Sequence, residues 1–320
     1  MKQHRGSGLV AGVDVGGTNI EVGLVNADHE VIDRAKASTP TEGPDAVLST
    51  IADLVGSLKH RPAAVGVGIP GVVHDGEVLT VPNLENWHER VAIDDDLGDR
   101  LDLPVALGND VNVGLRGEWR AGAARDVTNV LGVWLGTGIG GALILDGAFF
   151  EGSRGAAGEI GHVVVREGGA LCGCGRRGCV EAYAGRRSME TTAQAMVDAG
   201  RETRLFEIRD DVGKTKVTSK VWKKALESGD DLATSLFDTA VETLGVAIGS
   251  TLNLLDLDLV VIGGGLAEKL GGALADRIAD AAAPWVLQPN PDREFVVSAL
   301  GDDAGIVGAA DLGRALLAQD

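Results

Sequence analysis

Aromatic residues are nearly missing from this chain of 320 residues, at 3% with a single tyrosine. Its cores must therefore be built from Val, Leu, Ile and Ala, which the 44% apolar content can supply, alongside 47 glycines. Cysteine is scarce as well, and three of them leave any disulfide scheme with an odd thiol. Cations are short: 29 Lys and Arg stand against 47 Asp and Glu, a net charge of −18, and few of the cations are lysines. Such a surface cannot neutralise a phosphate backbone, which excludes nucleic acid as a partner. It has the character of proteins from a salt-rich cytoplasm, with an ordinary acidic protein as the other reading. No uninterrupted apolar run reaches the ~20 residues of a membrane span. The basic opening MKQHRGSG leads into an aspartate-bearing strand rather than a signal-peptide core. The expectation is a cytoplasmic protein with no membrane partner. Finally, no G-x-x-x-x-G-K-[ST] occurs, so this is not a P-loop protein.

What is present is concentrated. All three cysteines, Cys172, Cys174 and Cys179, fall in one glycine-rich tract with His162 just upstream. Three thiolates and an imidazole complete a closed tetrahedral Zn²⁺ site, and Gly173, Gly175 and Gly178 let the backbone fold tightly enough for them to converge. A closed site offers substrate no open position, so the zinc is expected to be structural. Glu159 and Glu181 flank the tract. Held there, their carboxylates and the free edge of His162 can bind hydroxyls, as a sugar requires; solvated surface charge is the plainer reading of either glutamate alone.

Strands and helices alternate along the chain, which predicts an α/β fold. A strand over 9–15, the turn GGTN and a strand over 20–25 are echoed by a strand over 130–135, the turn 136–141 and a strand over 142–145. This repetition predicts duplicated domains with an interdomain cleft. In the first turn, Asp14 precedes Gly16, Gly17, Thr18 and Asn19. Glycine amides and a hydroxyl suit phosphate, and a carboxylate beside phosphate implies Mg²⁺. The second turn, with Thr137 and Gly138, also fits G-x-G-x-x-G, but a strand rather than a helix follows it, so a dinucleotide fold is rejected. Asp110, after Asn109 and at the start of a helix, is placed either to accept a hydroxyl proton or to cap that helix, or to do both. Residues 202–224 are charged, hold most of the lysines and read as a surface excursion.

The blocks DVGGTN (14–19), GND (108–110), LGTGIGG (135–141), GEIGH (158–162) and CGCGRRGCVEAYAG (172–185) together resemble the ROK family, from near residue 9 to near residue 312. GEIGH and CxCGxxGCxE are specific; the glycine turns alone are not. The resemblance implies the actin-like ATPase (ribonuclease H-like) fold. It divides the chain into a small domain over 1–118, completed by a C-terminal helix over 306–320, and a large domain over 119–305. It also implies ATP, Mg²⁺ and a structural Zn²⁺, with Asp110 as catalytic base. Asn83, Asn109, Asp110, Glu159, His162 and Glu181 would bind the hexose. Asp14, Gly16, Gly17, Thr18, Asn19, Thr137 and Gly138 would form the phosphate loops, and Gly263, Gly264 and Gly265 the adenosine loop. His162, Cys172, Cys174 and Cys179 would hold zinc. Family repressors carry a DNA-binding arm before the first glycine motif; only 13 residues precede Asp14, so a kinase is expected. The implied activity is that of a glucokinase, resembling one from a salt-adapted archaeon, assembled as a homodimer or homotetramer. Kinases of N-acetylglucosamine, N-acetylmannosamine or fructose, and a sugar-sensing regulator, stay open.

Overall fold

The computed structural model describes residues 8–74, 76–80, 86–87 and 90–318. The chain forms two compact units, one of residues 1–126, 151–157 and 299–320 and the other of 127–150 and 158–298.

The first unit starts from β1 (Val10–Val15), in which all residues but Asp14 are buried, and β2 (Asn19–Val25), which returns antiparallel to it with Val15 opposite Ile20. β3 (Val31–Ser38) adds an edge with alternating exposure. α1 (Pro44–Gly56) opens on a proline, whose fixed φ suits a first helical turn, and buries Val47, Leu48, Ile51 and Val55 as one stripe. β4 (Val65–Ile69) runs parallel to β1 and is buried throughout, as a central parallel strand should be. The short strands β5 (Val72–His74), β6 (Glu77–Thr80) and β7 (Val91–Ala92) form a small sheet. After them come α2 (Ile93–Leu101), β8 (Val105–Asn109) and α3 (Asp110–Ala121). The main sheet has the order β3-β2-β1-β4-β8. The C-terminal helix (Asp303–Leu316) packs on β1, β4 and α3. It lies so close that a methyl group at Gly12 would strike the Ile306 carbonyl, and one at Gly66 the Ala309 carbonyl.

The second unit repeats the plan. β9 (Val130–Leu135), β10 (Ile139–Leu145) and β11 (Ala148–Phe149) form an antiparallel meander. Then come α4 (Glu181–Ala184), α5 (Arg186–Asp198), α6 (Leu205–Asp211), α7 (Ser219–Glu227) and the 25-residue α8 (Asp231–Leu255). β12 (Leu259–Gly263), α9 (Gly265–Leu270), α10 (Gly272–Ala282) and β13 (Glu294–Val297) complete it. Its sheet order, β11-β10-β9-β12-β13, matches the first strand for strand, with an antiparallel hairpin followed by two parallel neighbours. The strand after the second glycine turn is β10, as expected, and no dinucleotide-type helix occurs there.

Two expectations change. Residues 202–224 are not a surface excursion: α6 and α7 bury Leu205, Ile208, Val221, Trp222 and Ala225 in the second unit's core. Two short helical stripes lie there among exposed Lys220 and Lys224, and a glycine turn at Gly213 breaks the period between them. Helix α8 is long and apolar enough, by length and composition, to cross a membrane. It is the core helix of the second unit, with 67% of that window buried. The first unit runs to 126 rather than 118 and regains the chain at 299 rather than 306. Fully buried Glu118 explains this boundary, since its carboxylate accepts from Ala123 N (2.7 Å), Ala299 N (3.0 Å) and Leu300 N (2.8 Å).

Candidate active site

In the first unit, Asp14 sits at the end of β1 where the chain enters its glycine turn. Gly16 N donates to Asn19 O (2.9 Å), closing the turn. Thr39 takes the turn's carbonyls from outside: its hydroxyl donates to Gly16 O (2.6 Å) and its amide to Thr18 O (2.9 Å). Among the described residues, the amides of Gly17 and Thr18 donate to no protein group. That is the arrangement an anion needs. Thr39 was invisible in the sequence, because nothing local marks a threonine just beyond a strand.

Burial, then the charges of Asp110, Glu21 and Asp302, push the Asp14 carboxyl up to about 7. Glu21 is its cross-strand partner, and the C-terminal helix approaches it at Gly305. This all-oxygen donor set fits a hard divalent cation such as Mg²⁺, which would relieve the repulsion. The folded-state pKa lies above the unfolded value. Stability is therefore lost as pH rises from about 4 to about 7, by up to ~4 kcal/mol. In Mg²⁺-free buffer without chelator, Asp14→Asn is expected to melt higher than wild type at pH 8 and nearly equal to it at pH 4. Equal melting of the two at pH 8 would remove this account of Asp14.

Asp110 is the first residue of α3, yet Asn109 is the cap. Asn109 Oδ1 accepts from Val111 N (2.9 Å) and Asn112 N (3.1 Å), and its Nδ2 donates to Gly71 O (2.9 Å). Capping is thus chiefly the work of Asn109, and Asp110 Oδ1 also accepts from Val111 N (3.0 Å). Asn109 keeps one amide hydrogen for a ligand. Asn83 lies outside the described residues.

The second unit gathers the rest. The GEIGH segment lies flat on β10: a side chain at Gly158 would press on the Gly141 carbonyl and one at Gly161 on the Ile139 carbonyl. This close approach exposes Glu159 and places His162 at the end of a 3-10 turn (Ile160–His162). His162 Nδ1 lies 3.7 Å from Cys172 Sγ, and Cys174 Sγ lies 3.8 Å from Cys179 Sγ. All four ligand atoms fall within 4.8 Å of one another. No disulfide links them, since a bonded pair sits at ~2.05 Å. Ligand bonds of ~2.3 Å for sulfur and ~2.0 Å for nitrogen give tetrahedron edges of ~3.5–3.8 Å. The set therefore fits zinc. The backbone amide and side chain of Arg176 pull the exposed Cys174 thiol down to about 6, while burial pushes Cys172 up to about 12. The only tyrosine fastens the loop, Tyr183 OH accepting from Ala170 N (2.8 Å) under the Arg166 guanidinium.

Glu181 joins two features that the sequence keeps apart. One oxygen lies 3.6 Å from Cys172 Sγ and the other accepts from Ile139 N (3.0 Å). It thus ties the cysteine loop to the second glycine turn. That turn is built like the first: Gly136 N donates to Gly138 O (3.0 Å), and its carbonyls are engaged from outside, here by Arg186 and Arg187 at the start of α5. Gly264, at positive φ, brings the loop after β12 against the Leu135 backbone, and Gly263 lies against the Trp134 ring. The structure thus brings Thr137, Gly138, Glu181 and Gly263–Gly265 into one neighbourhood of the second unit.

A sequence model of the ROK family matches residues 10–315. A glucokinase from Streptomyces coelicolor is 32% identical over 314 residues, covering 96% of this chain and 98% of that protein. The N-acetylgalactosamine kinase AgaK of Shewanella sp. is 32% identical over 321 residues, covering 95% and 96%. Among solved structures, a ROK family glucokinase from Streptomyces griseus in complex with glucose and AMPPNP superposes with a TM-score of 0.83 at 33% identity, covering 96% of this chain and all of that one.

Proposed function

The chain belongs to the ROK family, and from that premise we propose that it is an ATP-dependent hexose kinase that converts glucose to glucose 6-phosphate. The similarity to glucokinases over nearly the whole chain carries this reading, one of them having been solved with glucose and an ATP analogue.

Asp110 accepts the proton of the attacking hydroxyl and orients its oxygen. Asn109 contributes its remaining amide hydrogen to a sugar oxygen. Glu159 and Glu181 accept from other hydroxyls, and His162 donates from Nε2, because its Nδ1 faces Cys172. The unpartnered amides of the two glycine turns, with Thr18 and Thr137, hold phosphate oxygens, and Gly263–Gly265 receive the adenosine. Asp14 holds Mg²⁺, which when bound neutralises charge on the phosphates. His162, Cys172, Cys174 and Cys179 hold Zn²⁺, which when bound fixes the loop carrying Glu181. The assembly in solution is a homodimer or homotetramer.

A panel of sugars tests the acceptor. Glucose is expected to give a kcat/KM at least ~10-fold above N-acetylglucosamine, N-acetylmannosamine, N-acetylgalactosamine and fructose, as a few differing hydrogen bonds allow. A 2-acetamido sugar outperforming glucose would favour the second reading, which the similarity to AgaK supports.

The acidity reads as adaptation to salt. With a net charge of −18, carboxylates repel one another in dilute buffer, and screening shortens from ~10 Å at 0.1 M to ~3 Å at 1 M. The melting temperature is expected to rise between 0.1 and ~2 M KCl, with activity retained. A flat or falling melting temperature across that range would sink the adaptation.

A further inference from the structure

Arg186, the first residue of α5, has an unusual setting. Several arginines in this acidic chain sit against carboxylates, among them Arg34 with Asp303, Arg116 with Asp311 and Arg277 with Asp238. The Arg186 guanidinium turns instead to the second glycine turn. Its Nε donates to Gly136 O (3.1 Å) and its Nη2 lies 3.4 Å from Thr137 Oγ1. Among the described residues it has no carboxylate within ion-pair distance. Burial depresses its pKa, opposed only by more distant Glu190, whose Oε1 is already accepting from Val217 N (3.1 Å).

The turn itself is polarised. The Gly136 carbonyl accepts from Arg186 and the Thr137 carbonyl from Arg187 N (3.1 Å), so both oxygens are drawn to the α5 side. Among the described residues, the Thr137 and Gly138 amides donate to no protein group. Two amides, a hydroxyl and an uncompensated guanidinium therefore adjoin at one turn, in a protein whose overall charge repels anions. A partly desolvated cation with no counter-charge is costly unless a ligand supplies one.

Resting on the kinase reading above, we propose that Arg186 is a phosphate-binding residue of the nucleotide site, holding the terminal phosphates of a nucleoside di- or triphosphate against residues 136–138. Its Nε bond to Gly136 O fixes the guanidinium plane, which leaves the remaining N–H groups for phosphate oxygens, a geometry lysine cannot reproduce in full. The residue escaped the sequence reading because an Arg-Arg pair opening a helix looks like solvated charge.

Calorimetric titration of wild type, Arg186→Gln and Arg186→Lys with MgADP, inorganic tripolyphosphate, adenosine and glucose tests this. The Gln variant is expected to weaken MgADP and tripolyphosphate by about 10- to 100-fold, the range of a charge-assisted hydrogen bond, while adenosine and glucose change less than about twofold. The Lys variant, which keeps the charge but loses the bond to Gly136 O, is expected to recover most of the loss. MgADP affinity unchanged in Arg186→Gln would overturn the proposal. So would equal weakening of adenosine, or a Lys variant no better than Gln, either of which would make Arg186 a brace for the turn. Wild type that binds glucose but neither MgADP nor tripolyphosphate would overturn the kinase reading itself, and this proposal with it.

Discussion

Asp110→Asn is expected to cut kcat by about 10²–10⁴-fold, equivalent to ~3–5 kcal/mol of transition-state stabilisation, while glucose affinity stays within about threefold of wild type. The amide keeps the shape of the side chain and one acceptor oxygen for the Val111 amide but cannot accept a proton. The geometry at the start of α3 makes the test clean, since Asn109 carries the cap through Val111 N and Asn112 N. Asp110→Asn should therefore leave the melting temperature nearly unchanged, whereas Asn109→Ala should cost about 1 kcal/mol of stability, as loss of a cap does. Single-turnover kinetics with calorimetric glucose binding would separate the effects. A variant that keeps more than about a tenth of wild-type turnover would remove Asp110 as the base.

Removal of zinc should produce the second large effect, acting through shape. The purified protein is expected to hold one zinc per chain by metal analysis. Cys174→Ala should lose it and, with it, kcat/KM by ~10–100-fold, the range over which a metal's supporting shell acts. The melting temperature should fall by about 6–12 °C, corresponding to ~3 kcal/mol for a unit of this size. Glu181 explains why both substrates should suffer. Its carboxylate lies against Cys172 Sγ on one side and takes the Ile139 amide on the other, so a slackened loop releases a hydroxyl ligand and loosens the second glycine turn together. Protein with far less than one zinc per chain and full activity would refute the arrangement.

The duplicated plan was legible because each copy begins with the same signal, a valine-rich strand running into a Gly-Thr turn and a second apolar strand. The hydrogen bonding of the turns then enforces the hairpins. The cysteine loop was legible because thiolates, imidazole and glycines have few other reasons to cluster. Asn109 and Asp110 were identified as a pair, but which of them caps depends on a difference of one residue in where the helix starts. Periodicity does not resolve that difference. Trp222 was missed because two apolar residues between Lys220 and Lys223 are too few to register as a helix on their own, and the core of the second unit is what gives it somewhere to pack. Thr39 and Arg186 act on glycine turns far from them in sequence, through carbonyl oxygens that every residue possesses.

The return of the chain to its first unit has a consequence for biosynthesis. Gly12 and Gly66 are shaped to receive the backbone of the C-terminal helix, and that helix is translated after every other element of the two units. A nascent chain that has extruded β1, β2 and β4 still lacks the element that covers one face of their sheet. The second unit, whose residues end at 298, has all its parts outside the ribosome earlier. The second unit can thus close before the first, and until that helix emerges the amino-terminal sheet stays open and available to chaperones. Emergence of that helix is what allows the unit bearing Asp14 and Asp110 to close.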